Sequence, residues 1–244
     1  YLCSLTNTQQ NMNAVISGDI VSSTALSELE LQLLRDSLTQ LIDKLKGDQL
    51  EKAGNISFFG RLIKGDYIEC YLKEPKDSLR VALLIKTLVK MQVLEKSSDK
   101  ASEKKRLLFK KYGVRLAIGI GSMRTVNTEQ SILDGEAIYL SGRKIDDQRS
   151  SNKEKIVIKN TFFFETPNNK LKEQGSVLVD LLDVLLNNAT ARQCNILYYK
   201  LSGLSELEIA QKLDINQAAV NQHSTAAGWN AIEHTLRYYE QLEF

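Results

Sequence analysis

Histidine, cysteine and proline are scarce in this chain of 244 residues. His223 and His234 are its two imidazoles, so histidine-based metal sites and catalytic triads are nearly excluded. Cys3, Cys70 and Cys194 are odd in number and widely spaced, which argues against a disulfide framework and a Cys-x-x-Cys zinc pair. Any catalysis would therefore depend on carboxylates.

Long apolar runs and a strong charge of one sign are also missing. The most hydrophobic stretch, residues 177–186, is interrupted by Asp180 and Asp183 and is too short to span a bilayer. The net charge of +2 does not indicate a strongly basic nucleic-acid protein. With no signal peptide visible and cysteine use typical of a reducing compartment, we expect a cytoplasmic protein with no membrane partner.

The first half of the chain predicts alternating strands and helices. Residues 13–18 form a short β-type run, and residues 27–46 carry apolar side chains at helical spacing behind Ser27, a good N-cap. Two further β-type segments flank the Lys64-Gly65 turn and predict a hairpin. We also predict a helix from Pro75 to about residue 95.

The elements that follow complete a recognisable order. Residues 95–106 predict an exposed loop or frayed helix end, 114–123 a strand, 135–149 a helix and 155–160 an edge strand. The order β-α-β-β-α-β matches an α+β, ferredoxin-like core over residues 12–165, with helices covering an antiparallel sheet. In such a sheet the end of the first strand lies beside the hairpin turn. Asp19 and Asp66 would then meet, although 47 positions separate them.

The character changes near Gly175, and residues 175–244 predict a connecting helix and a small all-α domain with a helix-turn-helix. Asn216 is a good N-cap for its second helix. The inward positions of this motif are occupied by Leu201, Leu204, Ile209, Ala210, Leu213, Ile215 and Val220. The DNA-binding candidates, which suit adenine and thymine edges, are Gln217, Ala218, Asn221 and Gln222.

The charge of this helical part is unusual for a DNA-binding module. Residues 189–244 hold four basic and six acidic side chains, whereas phosphate contact needs cations. The basic segment 104–111 would supply them, unless it is only the solvated face of a helix. Alternatively, the helical part serves protein association.

The segment "GDIVSST", residues 18–24, resembles the metal-binding motif of class III nucleotidyl cyclases, where it ends the first strand. Their second aspartate, at a Gly-Asp hairpin, resembles Gly65-Asp66 in "KGDYIEC". Two later family motifs resemble residues 115–119 and Gly135 to Arg143. A cyclase-like half followed by a helix-turn-helix, with "AGWNAIE" at 227–233, resembles the SatD family.

The resemblance implies a cation and phosphate site. Asp19, Asp66 and the Ile20 carbonyl are hard oxygen ligands suited to Mg²⁺ or Mn²⁺. The turn after Asp19 leads into a helix whose free N–H groups would take phosphate oxygens, and Arg143 would add a planar cationic fork. The predicted nucleotide or phosphate contacts are Val21, Ser22, Ser23, Thr24, Lys64 and Arg143.

The chain departs from the cyclases at the positions that recognise the base and the transition state. Tyr139 stands at the position of the family's asparagine, and Ile132 and Leu62 stand where purine-reading residues are expected. A site without partners for a base discriminates poorly between nucleotides. Ordinary cyclase activity is therefore not expected, and no catalytic residue is assigned, although Arg143 would contact the phosphate or transition state of an active enzyme.

Each candidate also has a purely structural interpretation. Asp19 is a common helix cap, Asp66 a common turn residue, and Arg143 could pair with Asp146 and Asp147 on a helix surface. Solvent exposure explains Glu69 on its alternating strand. The aromatic run 162–164 is expected to pack between the two modules.

Three functional hypotheses follow. The first is a ligand-responsive DNA-binding regulator, expected to be a homodimer because helix-turn-helix proteins commonly use two half-sites. The second is a Mg²⁺- or Mn²⁺-dependent enzyme acting on a nucleoside triphosphate. The third is a scaffold for protein contacts.

Overall fold

The computed structural model describes residues 12–47, 57–95, 99–151 and 158–244, the side chains of 149–151 excepted. Within these ranges the strands are β1 (Met12–Ile20), β2 (Phe58–Ile63), β3 (Tyr67–Leu72), β4 (Val114–Asn127), β5 (Ile132–Gly135) and β6 (Phe162–Glu165). The helices are α1 (Glu28–Lys46), α2 (Ser78–Lys90), α3 (Lys100–Tyr112), α4 (Glu136–Ser151), α5 (Asn169–Asn188), α6 (Ala191–Leu201), α7 (Glu206–Leu213), α8 (Gln217–Ala226) and α9 (Trp229–Tyr239).

A single sheet organises the first two thirds of the chain. Its order is β2-β3-β1-β4-β5 with antiparallel neighbours, and β6 pairs in parallel with β4. A register shift between Met123 and Thr125 bends the far end of β4 toward β5. The mixed α+β class is therefore confirmed.

The two faces of the sheet differ in chemistry. Ile16, Ile68 and Leu116 contribute to an apolar core with α1 and α2. On the opposite face, the Ser17 hydroxyl lies 2.8 Å from that of Ser141 on α4. Because successive side chains of a strand alternate between faces, Asp19 lies on the polar face with Ser17.

The predicted start of α1 agrees with the structure, whereas the end of α2 and the whole of α3 differ from the predictions. Ser27 caps α1 in a capping box, as predicted. The helix after Pro75 ends at Lys90, not near 95, and the buried Lys90 ammonium donates to the carbonyls of Lys111 and Leu186. Of the two alternatives predicted for residues 95–106, the exposed loop is wrong from Asp99 onward, because Asp99 caps α3 and Arg106 turns inward to pair with Glu30. A buried arginine hides the apolar period that signals a helix.

Several other predicted strand and helix bounds also differ from those in the structure. Strand β4 continues past residue 123, and β5 was not predicted. Of the edge strand predicted at 155–160, residues 155–157 lie outside the described ranges and 158–160 are irregular. Phe164 on β6 packs edge-to-face on Tyr239, in agreement with the packing role predicted for the aromatic run. Helix α5 begins at Asn169, before the predicted 175.

Four short helices, α6 to α9, form the end of the chain. Residues 214–216 separate α7 from α8, and the Asn216 side chain accepts the Ala219 N–H at 2.7 Å, as predicted for the cap. A small apolar cluster joins α6, α7 and α8 through Ile196, Ile209, Ala210 and Val220, with Leu204, Leu213 and Ile215 packed against it. None of the helices in the described ranges combines the length and apolarity needed to cross a bilayer.

Candidate functional site

The predicted carboxylates lie on neighbouring backbone segments. Strand β1 continues through Asp19 and Ile20, and Asp19 stands opposite Tyr67 in the β1–β3 ladder. The Ile20 N–H donates to the Asp66 carbonyl at 3.0 Å. The antiparallel register therefore brings the end of β1 beside the hairpin turn that carries Asp66. We call this region, Asp19 to Thr24 with Lys64 to Asp66, the cradle.

The turn after β1 is held by its own contacts. Ser22 has a left-handed backbone, with a φ of 55°, and Ser23 begins a short 3-10 turn. The Ser23 hydroxyl donates to Asp66 Oδ2 at 3.0 Å, and the Val21 N–H donates to Gly113. The structure thus brings Ser23 and Asp66 together. The Val21 N–H, predicted as a phosphate contact, already donates to the Gly113 carbonyl.

The start of α1 differs from the expected phosphate site. Helix α1 begins at Glu28, and the Ser27–Glu30 capping box engages the N–H groups of Ser27 and Glu30. Glu28 and Glu30 make that turn acidic, which disfavours an anion. The acidic first turn does not favour a phosphate at this helix start, so the turn itself and Lys64, which is exposed, are the better candidates for phosphate contacts in the cradle.

Asp19 is almost completely buried and is bound by Arg115 of β4. Arg115 lies opposite Asp19 in the β1–β4 ladder and donates Nε to Oδ1 at 3.0 Å and Nη2 to Oδ2 at 2.7 Å. This planar fork neutralises the carboxylate. The partnership could be found from the sequence only through the register of two strands 96 positions apart.

The oxygen donors of the cradle suit a hard divalent cation, but Arg115 competes with such a cation for Asp19. Asp19, Asp66 and the Ile20 carbonyl are oxygen donors, as Mg²⁺ and Mn²⁺ prefer. No group of three or more His, Cys, Asp or Glu side chains suited to a metal occurs in the described ranges. A cation here would replace Arg115 at Asp19 or share that carboxylate with it, and would need further oxygens from phosphate or water.

The polar face of the sheet continues beside Asp19. Glu69 is buried, 6% exposed, and paired with Arg61, so its prediction as a solvent-exposed residue was wrong. Tyr67 bonds to Ser17, and burial raises the pKa of its phenol. Arg35 of α1, which no sequence signal singled out, donates Nε to the Gly65 carbonyl at 2.9 Å and brings a further cation to the hairpin turn.

Arg143 lies in a different place from the carboxylates. It is exposed on α4 and lines a cleft of about 1040 Å³, together with Tyr139, Lys144 and Glu165. Asp19 and Asp66 are not among the residues that line this cleft. Ile132 and Tyr139, the positions that depart from the cyclases, are about half exposed, at 48% and 59%. Within one chain, Arg143 and the two cradle carboxylates therefore do not line this cleft together.

The candidate DNA-binding side chains share one exposed surface of α8. Gln217, Ala218, Asn221 and Gln222 are all exposed, whereas Val220 and Ser224 are buried on the opposite side. Nearby lysines have other contacts: Lys200 pairs with Glu206, and Lys212 lies over the Tyr199 ring.

Comparisons with known proteins give limited information. No family model matches the chain, and no curated protein matches it. Two solved structures of bacterial light-regulated adenylyl cyclases are similar at 12% and 14% identity, with TM-scores of 0.37 and 0.38. Each match covers 63% of this chain; it spans 42% of the first cyclase chain and 74% of the second. Likenesses this weak establish neither a shared activity nor a shared ligand.

Proposed function

We propose that this chain is a ligand-responsive DNA-binding regulator whose α+β half binds a divalent cation with a nucleotide or another phosphate. The observation that carries the proposal is the α7–turn–α8 arrangement, in which α8 exposes a polar face. Asn and Gln side chains can bond bidentately to an adenine edge in the major groove. A three-residue turn and a buried apolar cluster hold α8 against α6 and α7, as a helix-turn-helix requires.

Positive charge for DNA would come from α3. Lys100, Lys104, Lys105 and Lys111 are exposed along this helix. They offset the acidic balance of residues 189–244 and would supply phosphate contacts. Two half-sites on DNA would suit a homodimer of this chain.

The α+β half would carry the ligand response. Its β2-β3-β1-β4 strand order supports a ferredoxin-like core. Asp19, the Ile20 carbonyl and Asp66 would hold Mg²⁺ or Mn²⁺, and the bound cation would neutralise and orient a phosphate. The phosphate oxygens would be bound by the turn after β1, which contains Ser22, Ser23 and Thr24, and by Lys64 in the neighbouring hairpin turn.

Mobility shifts on genomic fragments across a salt series test the DNA proposal. Asn221→Ala and Gln222→Ala are expected to weaken binding to a selected fragment by about tenfold or more, since each lost base contact costs about 1–3 kcal/mol. Asn230→Ala, on the exposed surface of α9, serves as the control and should bind like the wild type. Equal binding by all variants would contradict the assignment of α8.

A second candidate function is a metal-dependent enzyme acting on a nucleoside triphosphate. The hydrogen bond from the Ile20 N–H to the Asp66 carbonyl favours it, because this bond holds the end of the strand that carries Asp19 beside the turn that carries Asp66. Incubation with each triphosphate and Mn²⁺ should release pyrophosphate, and Asp66→Asn should abolish the release. No release with any triphosphate would end this hypothesis.

A further inference from the structure

The cradle is attached to the backbone where α3 ends and β4 begins. The Val21 N–H donates to the Gly113 carbonyl at 2.9 Å, and Ile20 stands opposite Val114 in the β1–β4 ladder. We call residues 111–114 the anchor segment. The position of the turn after β1 therefore depends on this segment.

Lys86 of α2 binds the anchor segment on one side and α5 on the other. Its ammonium donates to the Val114 carbonyl at 3.2 Å and to Thr161 Oγ1 at 2.7 Å, and it pairs with Asp183 of α5 at 3.0 Å. Asp183 also accepts bonds from the N–H and the hydroxyl of Thr161, both at 2.6 Å. The three N–H bonds of the ammonium therefore each have an acceptor, although Lys86 is completely buried.

Lys90, one turn further along α2, makes the same connection a second time. Its buried ammonium donates to the carbonyl of Lys111 in the anchor segment and to the carbonyl of Leu186 near the end of α5. Gly113 leaves room for this lysine, because a Cβ atom at that position would lie 2.7 Å from Lys90 Cγ. Two buried cations of one helix thus bridge the anchor segment and α5.

This bridge is a costly way to fill a core. Apolar side chains of similar volume often stabilise a protein as well as a buried ion pair does. They cannot hold a backbone carbonyl, whereas each lysine binds one in the anchor segment. Helix α5 is followed directly by α6, which packs against α2 and α8. The bridge therefore leads from the cradle to the helices that support α8.

We propose that Lys86 and Lys90 couple the cradle to α5, so that the turn after β1 and the attachment of α5 change together. Contiguous hydrogen bonds and packed side chains are the physical carriers of such coupling. Both lysines act as positioning residues, since neither belongs to the cradle. A cradle ligand that displaces the Val21 turn would thereby alter the support of α8. This use in regulation rests on the proposed function, whereas the coupling itself does not.

Hydrogen exchange of the ¹⁵N-labelled chain measures the coupling without DNA or a cradle ligand. In Asp183→Asn, Lys86 loses the charge that holds it against the Val114 carbonyl. The Val21 amide should then exchange about tenfold or more faster relative to the Cys70 amide of the inner strand β3, because losing a bond to a charged group favours local opening.

Two controls separate coupling from other effects of the substitution. Asp180→Asn changes an exposed carboxylate of the same helix and should leave both amides unchanged. Leu45→Ala removes core contacts at the far end of α1 and should speed both amides alike. A Val21 rate that rises only as much as the Cys70 rate in Asp183→Asn would overturn the proposal.

Two further variants test the Lys90 contact. Lys90→Met removes the ammonium and keeps an unbranched side chain, so Val21 exchange should again rise more than that of the β3 reference. Gly113→Ala pushes on the lysine from the cradle side, because the new methyl group has no room beside Cγ. It should therefore shift the ¹⁵N signal of Asn187, the amide that follows the Leu186 carbonyl.

Gly142→Ala is the matched glycine control, because the nearest described side chain lies 3.8 Å from its Cβ position. It should leave the Asn187 signal in place. An unchanged signal in Gly113→Ala with an unchanged exchange rate in Lys90→Met would overturn the proposal, even where the aspartate variant does not fold. Mobility shifts on DNA enter none of these outcomes, so this proposal and the proposed function can fail separately.

Discussion

Arg115 on β4 donates two hydrogen bonds to the carboxylate of Asp19 on β1, directly across the ladder, at 3.0 and 2.7 Å. The guanidinium therefore already binds both carboxylate oxygens that Asp19 could offer to a divalent cation. An internal cation of this kind stabilises the buried carboxylate when no metal is bound. Whether the cradle holds a metal depends on the competition between the two cations.

Replacing Arg115 tests this competition. Arg115→Gln removes a positive charge next to Asp19, so Mn²⁺ should bind about threefold or more tightly than to the wild type, because like charges no longer repel. Titration calorimetry with Mn²⁺ measures the difference. Arg124→Gln, an arginine on the exposed end of β4, should leave the affinity unchanged. Binding in Arg115→Gln that survives Asp19→Asn would place the ion elsewhere.

The lysines of α3 predict a salt effect on DNA binding. Lys104→Ala with Lys105→Ala should lower affinity for all DNA sequences alike. It should also reduce the slope of log K against log salt by about 1.8, since each phosphate contact contributes about 0.9. Mobility shifts between low and moderate salt measure the slope. The paired control, Lys44→Ala with Lys46→Ala at the end of α1, should keep the wild-type slope; equal slopes in both pairs would exclude α3 from the interface.

Two buried threonines predict opposite stability changes. Thr166 Oγ1 is buried with no hydrogen-bond partner among the described residues, so Thr166→Val should raise the free energy of unfolding by about 1 kcal/mol. Thr161 Oγ1 lies 2.7 Å from Lys86 Nζ and 2.6 Å from Asp183 Oδ1. Thr161→Val should therefore lower that free energy by about 2–3 kcal/mol. Urea unfolding measures the unfolding free energy of both variants. Equal changes in Thr166→Val and Thr161→Val would contradict the assigned contacts.

The Glu30–Arg106 pair predicts a pH effect. The hydrogen bond from Arg106 lowers the pKa of Glu30 from 4.5 to about 2. Because the folded pKa is the lower one, the stabilisation is complete above pH 4.5 and is lost as the pH falls through 2. Glu30→Gln should lower the unfolding free energy by about 2 kcal/mol at pH 7 and have little effect near pH 2. Glu28→Gln is the control, and a pH-independent loss would argue against the pair.

Local sequence signals predicted the elements whose ends are set by neighbouring residues. Ser27 and Asn216 were identified as caps because cap chemistry acts over three residues. The Lys64-Gly65 turn was predicted from the two short β-type runs on either side of it, and in the structure Gly65 adopts a positive φ. Helix α3 was missed because Arg106 fills an inward position through its pair with Glu30, and no local pattern marks a buried salt bridge.

The sequence by itself determined the α+β class, the hairpin and the meeting of the Asp19 strand end with the Asp66 turn. The class and the hairpin depend on residue periodicity and turn residues, which are local, whereas the meeting of Asp19 with Asp66 followed from the order of the elements, which places the first strand beside the hairpin. Only the tertiary structure decided that Arg115 binds Asp19, that Arg143 lines a cleft without Asp19 and Asp66, and that Glu69 is buried and pairs with Arg61. Those relationships join side chains from distant segments, so they exist only once strand register and helix packing are fixed.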